Sequence, residues 1–287
     1  MSEENYALEF RNLQKSYGKN LVLQGVNLPV KKGSFLALLG VNGAGKTTLI
    51  NCLSGMAFWD SGDIFVHGDS ILDAKRESKT KKQLGIVEQE VAFDPFFTPL
   101  EILSLRRGLY GLPKNRDYLE YLLESVGLAD KKNFHARHLS GGMKRRLMMA
   151  KAMAHEPNIL VLDEPTAGVD IDLREQLYGF WKKLNQEGMT IILTTHYLEE
   201  AESLAEDLAI LHQGKIITHG KTAEMLKDHE RLLFLEYEDG EKITKNLPPK
   251  SSIKDFLDAY RPIQNIAIKE PGLEDVFRKI IHTPQHD

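Results

Sequence analysis

One cysteine, Cys52, is all that 287 residues carry, so no intrachain disulfide can staple the chain. The thiol reads as a small buried residue in a reducing cytoplasm. No apolar run approaches the ~18 residues needed to cross a bilayer. A basic surplus is missing too: the net charge is −4, and no nucleic-acid partner is expected. The short basic run Lys79-Thr80-Lys81-Lys82 reads as a solvated face. The start, Met1-Ser2-Glu3-Glu4-Asn5, is acidic and polar, unlike a secretory signal. Hydrophobic residues make up 42 %, enough to bury the core of one large domain with or without a small appendage.

Against that ordinary background stands Gly40-Val41-Asn42-Gly43-Ala44-Gly45-Lys46-Thr47, which fits the spacing of a phosphate-cradling loop without mismatch. The apolar run Phe35 to Leu39 is predicted to be the strand feeding it, and Thr48 to Leu53 the opening of a helix. Glycines let the backbone turn several N–H groups toward phosphate oxygens, and the helix start adds partial positive charge. Lys46 is placed to reach the β- and γ-phosphates, and Thr47 to put its hydroxyl on Mg²⁺.

Farther along, Ile159-Leu160-Val161-Leu162 is fully apolar and ends in Asp163-Glu164. Such a run predicts a buried parallel strand with two carboxylates at its carboxyl end, where open α/β sheets bind ligands. Asp163 suits Mg²⁺, and Glu164 suits the orientation or deprotonation of an attacking water.

Between these motifs lies Leu139-Ser140-Gly141-Gly142-Met143, followed by Lys144-Arg145-Arg146-Leu147. Ser140 with the N–H groups of Gly141 and Gly142 makes a second anion site at a helix start. Here the chain resembles the ATP-binding cassette (ABC) family, whose signature is Leu-Ser-Gly-Gly-Gln ahead of a helix; Met143 departs from that glutamine. The resemblance implies that ATP is held between the phosphate loop of one subunit and the signature of another. The three basic residues in the first turn oppose the helix dipole. They fit either an interface or phosphate contact, or a solvated face.

Other positions of the family pattern follow in order. Tyr17 sits where the family places an aromatic on adenine, or else packs on the N-terminal sheet. Gln89, after Leu84-Gly85-Ile86-Val87, matches the glutamine that reaches Mg²⁺ and the attacking water. Asp170, in Ala167-Gly168-Val169-Asp170, matches the loop that crosses the dimer seam, and can also cap the next helix. His196, after the run Thr190 to Thr195, matches the histidine on the γ-phosphate. The implied nucleotide contacts are thus Tyr17, Gly40 to Thr48, Ser140, Gly141, Gly142 and Asp170. The implied catalytic set is Glu164, His196, Gln89 and Lys46, with Thr47, Gln89 and Asp163 on the metal.

The predicted fold is α/β: a P-loop ABC ATPase domain with an antiparallel N-terminal β subdomain, a parallel core sheet, a helical signature lobe and a small α+β C-terminal extension. Residues 1–222 form the ATP-binding domain in this reading, and 223–287 the accessory unit. The middle region from Ala92 to Ala154 lacks strand signals and reads as helical. Its opening stretch displays Phe93, Phe96 and Phe97 among Pro95 and Pro99, either for docking or for the lobe's own core. In the family this neighbourhood receives a short helix of the membrane subunit. In the extension, Leu232 to Tyr237 and Ile263 to Ile268 read as strands, and Ile253 to Tyr260 as a helix. The ending Pro271-Gly272-Leu273-Glu274-Asp275-Val276-Phe277 resembles cassette ATPases that serve bacterial exporters of drugs and polysaccharides.

The resemblance therefore implies an ATP-hydrolysing subunit on the cytoplasmic face of the inner membrane. It would work as a dimer, two copies of this chain or two related ones, on a separate multi-span permease. An importer ATPase shares every catalytic motif, and a soluble cassette acting on ribosomes or DNA is the remaining alternative.

Overall fold

The computed structural model describes residues 6–73, 77–87, 93–227, 231–248, 251, 253–257, 262–269 and 272–282. The chain opens with β1 (Tyr6–Tyr17), β2 (Asn20–Lys31), β3 (Phe35–Leu39) and α1 (Lys46–Ser54). Next come β4 (Ser61–Val66), β5 (Asp69–Ser70), α2 (Glu77–Gln83) and β6 (Leu84–Val87). A helical stretch follows with α3 (Pro99–Leu109), α4 (Arg116–Ser125) and α5 (Gly141–Met153). Then β7 (Ile159–Asp163), α6 (Ile171–Gln186), β8 (Thr190–Thr195), α7 (Leu198–Leu204) and β9 (Asp207–His212) alternate. The last elements are β10 (Lys215–Lys221), α8 (Thr222–Lys227), β11 (Arg231–Tyr237), β12 (Lys242–Leu247), β13 (Ile263–Lys269) and α9 (Leu273–His282).

The central sheet has the order β10-β9-β3-β8-β7-β6, parallel except at β10. Its inner strands β3, β7 and β8 are buried along their whole length because both faces are covered, whereas the edge strand β10 is polar and half exposed. Phe35, Ala37 and Leu39 of β3 enter one core with α5 and α6, while Leu36 and Leu38 enter the other with the N-terminal sheet. The same alternation splits Leu160 and Leu162 of β7 from Ile159 and Val161. A one-residue slip would exchange the faces of every strand, so the two cores together set the register. That register puts Asp163 beside Thr194 and brings the ends of β3, β7 and β8 level.

The N-terminal sheet, order β2-β1-β4-β5, is antiparallel as expected, though β4 and β5 join it from beyond α1; the expected helical lobe, α3, α4 and α5, stands against β6. In the extension, β11 pairs with β12 and β13 around a small core of Leu233, Leu235, Tyr237 and Leu247. The helix expected over Ile253 to Tyr260 is a 3-10 turn at Ile253–Phe256, with residues 258–260 outside the described ones. Ile253, Phe256 and Leu257 are used there to cover the small sheet, which one tight turn accomplishes. The strand β12 was not anticipated, since only Ile243 and Leu247 of its residues are apolar. α9 packs back on α7 and α8, and its Leu273 joins the main core.

Candidate functional site

The phosphate-type loop runs from the end of β3 into α1. Gly45 stands at φ +109°, where a Cβ would come within 2.9 Å of Leu23 Cδ2. Gly40 lies against the Leu211 carbonyl, and Ala44 is buried beneath the loop. Above them opens a cleft of about 470 Å³ lined by Asn20, Val22, Val41, Asn42, Gly43, Gly45, Lys46, Thr47, Thr48 and Glu164.

Lys46 is buried at the cleft floor. Its ammonium donates to the carbonyls of Gly40 (2.6 Å) and Val41 (3.5 Å) and lies 3.5 Å from Glu164 Oε1. His196 Nδ1 stands 3.3 Å from that same carboxylate oxygen. Three residues from separate loops thus converge on one point. Glu164 is held by its backbone, at φ +45°, with its N–H donating to both the carbonyl and the hydroxyl of Thr194 (3.1 Å each). A non-glycine residue in that left-handed region costs roughly 1–3 kcal/mol and persists where neighbours over-determine it.

Asp163 is buried beside it. Burial pushes its carboxyl above the ordinary range, while hydrogen bonds from the Thr194 and Thr47 hydroxyls pull the other way. The oxygens of Thr47 and Asp163 form a hard donor set that fits a small divalent cation, one that keeps most of its waters and takes few protein ligands. No group of three or more His, Cys, Asp or Glu side chains clusters for a metal among the described residues.

The remaining candidates lie elsewhere. Ser140 caps α5, its Oγ accepting from Met143 N–H at 3.3 Å, and Ser140, Gly141 and Gly142 are exposed at the lobe surface, away from the cleft walls. Asp170 caps α6 through Leu173 N–H at 3.0 Å. Tyr17 is half exposed at the β1–β2 hairpin, with Lys15 Nζ 4.8 Å from its ring; Asn20 and Val22 of the same hairpin line the cleft and it does not. Gln89 lies outside the described residues. Of the phenylalanines, Phe93 packs on the lobe core, as one reading expects, while Phe96 and Phe97 are exposed.

Two of the three basic residues at the start of α5 are engaged within the chain and do not form a solvated face. Arg145 reaches the main-chain carbonyls of Asp163, Glu164 and Ala167, and Arg146 those of Val126 and Gly127. For these two arginines the unfavourable placement against the helix dipole, ~0.3–1 kcal/mol, is offset by charge-assisted hydrogen bonds within the chain. Motif spacing also missed Thr194, Asn20 and Val22. For Thr194 a signal existed, since it lies near the end of a second strand read from the sequence, two residues before His196.

A cleft of this kind, at the carboxyl end of a parallel sheet with a glycine loop opening a helix, defines a phosphate-loop nucleotide-binding protein. The family model described as "ABC transporter" matches residues 23–167. The linearmycin resistance ATP-binding protein LnrL of Bacillus subtilis (strain 168) is 40 % identical over 220 residues, which cover 76 % of this chain and 70 % of that protein. The Nod factor export ATP-binding protein I of Burkholderia orbicola (strain AU 1054) is 39 % identical over 215 residues, 74 % of this chain and 70 % of that one. A dimeric structure of a bacterial ABC transporter cassette superposes with a TM-score of 0.69 at 27 % identity, covering 75 % of this chain and 98 % of that chain. The chain belongs to the ABC transporter family, and it is an ATP-binding, ATP-hydrolysing cassette. No described helix is long and apolar enough to cross a membrane.

Proposed function

We propose that this chain is the motor of an exporter, closing as a dimer around two ATP molecules and docking on a separate membrane permease. The observation that carries the chemistry is the Glu164 carboxylate, which lines the phosphate-loop cleft, held between Lys46 and His196. Lys46 donates to the carbonyls of its own loop. A γ-phosphate would take over that ammonium, leaving Glu164 free to orient or deprotonate the attacking water. His196 would keep Glu164 aligned and meet the terminal phosphate. Thr47 and Asp163, with Gln89, would hold Mg²⁺. When bound, that ion neutralises charge on the β- and γ-phosphate oxygens.

Ser140, Gly141 and Gly142 would complete the site of a second subunit, and Asp170 would lie at the seam. A ligand shifts a conformational equilibrium only through differential affinity, and ATP gains contacts from both subunits only when they are closed. Exposed Phe96 and Phe97 at the lobe offer the permease an apolar contact. Tyr17, half exposed, is the adenine platform in this reading. Residues 1–222 are taken as the motor and 223–287 as an accessory unit. Export is supported by the relatives named for Nod factor export and linearmycin resistance. Peripheral residence on the cytoplasmic face follows from the permease contact.

The test is Glu164→Gln. ATP binding and ATP-dependent dimerisation, read by light scattering, should persist while turnover falls roughly 10²–10⁴-fold. Wild-type turnover would remove Glu164 from the chemistry. Tagged protein recovered from detergent-solubilised membranes should bring a multi-span partner; recovery with ribosomes or DNA instead would favour the soluble alternative.

A further inference from the structure

We propose that Arg145 is a positioning residue for hydrolysis, fastening the signature helix to the backbone of the turn that carries Glu164. α5 starts at Ser140 on the lobe surface, and one turn later Arg145 leaves the lobe for the sheet. Its guanidinium donates to the Glu164 carbonyl, and lies 3.5 Å from the carbonyls of Asp163 and Ala167. These carbonyls belong to a single turn, in which Ala167 N–H also donates to Glu164 O at 3.4 Å. The adjacent Arg146 makes contacts of the same type, to Val126 O at 2.9 Å and Gly127 O at 3.0 Å, but wholly on the lobe side. Two neighbouring arginines therefore splay, one binding the helix to its lobe and the other to the catalytic turn.

The arrangement needs arginine. Only a planar fork with donors on two terminal nitrogens can meet carbonyls spread over one turn; a lysine is a single point of donation. Glu164 sits at φ +45°, a conformation its own preferences do not hold, and cationic donors on its carbonyl and its neighbours' help to fix it. Displacing a reacting group by about 1 Å can cost ~10²-fold in rate. Anything that shifts the start of α5 is thus transmitted to the carboxylate of the chain's own site, and linkage makes that coupling reciprocal. This inference rests on the proposed roles of Glu164 and of the signature.

The test is steady-state ATP hydrolysis by the full chain carrying Arg145→Met, Arg145→Lys, Arg146→Met or Glu164→Gln, with thermal unfolding measured alongside. Both Arg145 variants should lose ~10-fold in kcat while KM for ATP stays within about twofold, the pattern of a lost transition-state arrangement. Arg146→Met should lower Tm but keep kcat per folded molecule. Wild-type kcat in either Arg145 variant, or an equal kcat loss in Arg146→Met at matched Tm, overturns the proposal. If Glu164→Gln is inactive while Arg145→Met is normal, only the Arg145 inference falls; if Glu164→Gln turns over normally, the reading of the site falls first. Should Arg145→Met fail to fold, Arg145→Lys decides alone.

Discussion

The starts of α1 and α5 both carry glycines, and the two are built on opposite terms. At α1, Gly45 is forced: its φ is +109°, and Leu23 leaves a Cβ only 2.9 Å. Around it Lys46, Thr47, Asp163, Glu164 and Thr194 already bond one another. At α5, Gly141 and Gly142 are exposed, neither has positive φ, and a Cβ on either would meet nothing within 4 Å. The fold of one chain needs the first glycine and gives no reason for the second pair. Their smallness makes sense if a surface outside the chain comes close, as the proposed completion of the signature by another subunit requires.

Alanine scanning sharpens that contrast and has the largest expected effect. Gly45→Ala should destabilise the fold by roughly 2–5 kcal/mol through strained φ and crowding against Leu23, read as a lower urea midpoint. Gly142→Ala should leave the midpoint level or raise it by up to ~0.5–1 kcal/mol, since alanine is the better helix former. Its cost should appear instead in ATP-driven dimerisation and turnover, down ~10-fold. A Gly142→Ala protein that dimerises and hydrolyses normally would erase the distinction between the two starts.

What was legible in the sequence follows the same line. The phosphate loop, Asp163, Glu164 and His196 are local motifs whose spacing is imposed by chemistry, and the apolar runs of β3, β7 and β8 are imposed by two covered faces. Arg145 was illegible because its partners lie on a different element, and no periodicity within α5 states that its first turn meets the end of β7. Asn20 and Val22 were missed because a hairpin reveals its turn but not what stands over it. In the extension, β12 carries Lys242, Thr244, Lys245 and Asn246 among two apolar residues, so an edge strand offered almost no hydrophobic signal.

Acid should separate the lobe from the sheet at an intermediate cost. His155, just past α5, is buried with Nε2 3.0 Å from the Leu84 carbonyl and its ring stacked on Tyr110 at 4.1 Å. Burial lowers its pKa to about 4, opposed by the Leu84 hydrogen bond and assisted by Arg106, which lies over the other partner of the stack, Tyr110. The folded pKa lies below the ordinary 6.5, so the unfolded chain takes the proton first. Stability from this residue is complete above pH 6.5 and is lost as pH falls toward 4, by roughly 2–3 kcal/mol. His155→Gln keeps a donor for Leu84 without titrating, and its urea midpoint should fall less between pH 7 and 4.5. Amide exchange in that window should quicken in α3 and α5 before α1; simultaneous loss would mean that lobe and loop open as one unit.

The smallest effect concerns the lobe's first helix. Thr98 and Glu101 form a reciprocal cap at α3: Glu101 N–H donates to Thr98 Oγ1 at 3.3 Å, and Thr98 N–H donates to Glu101 Oε2 at 2.8 Å. Pro99 fits the first helical position, where no N–H is needed. Removing the hydroxyl with Thr98→Ala leaves helix N–H groups to water and costs about 1 kcal/mol, a fall of roughly 2–4 °C in Tm for a chain of this size. The cap follows directly on exposed Phe96 and Phe97 and touches nothing in the phosphate-loop cleft. ATP affinity of the isolated chain should therefore be unchanged while Tm drops. A matching loss of ATP affinity would show that the lobe's stability reaches the phosphate loop, leaving the two helix starts less independent than their glycines imply.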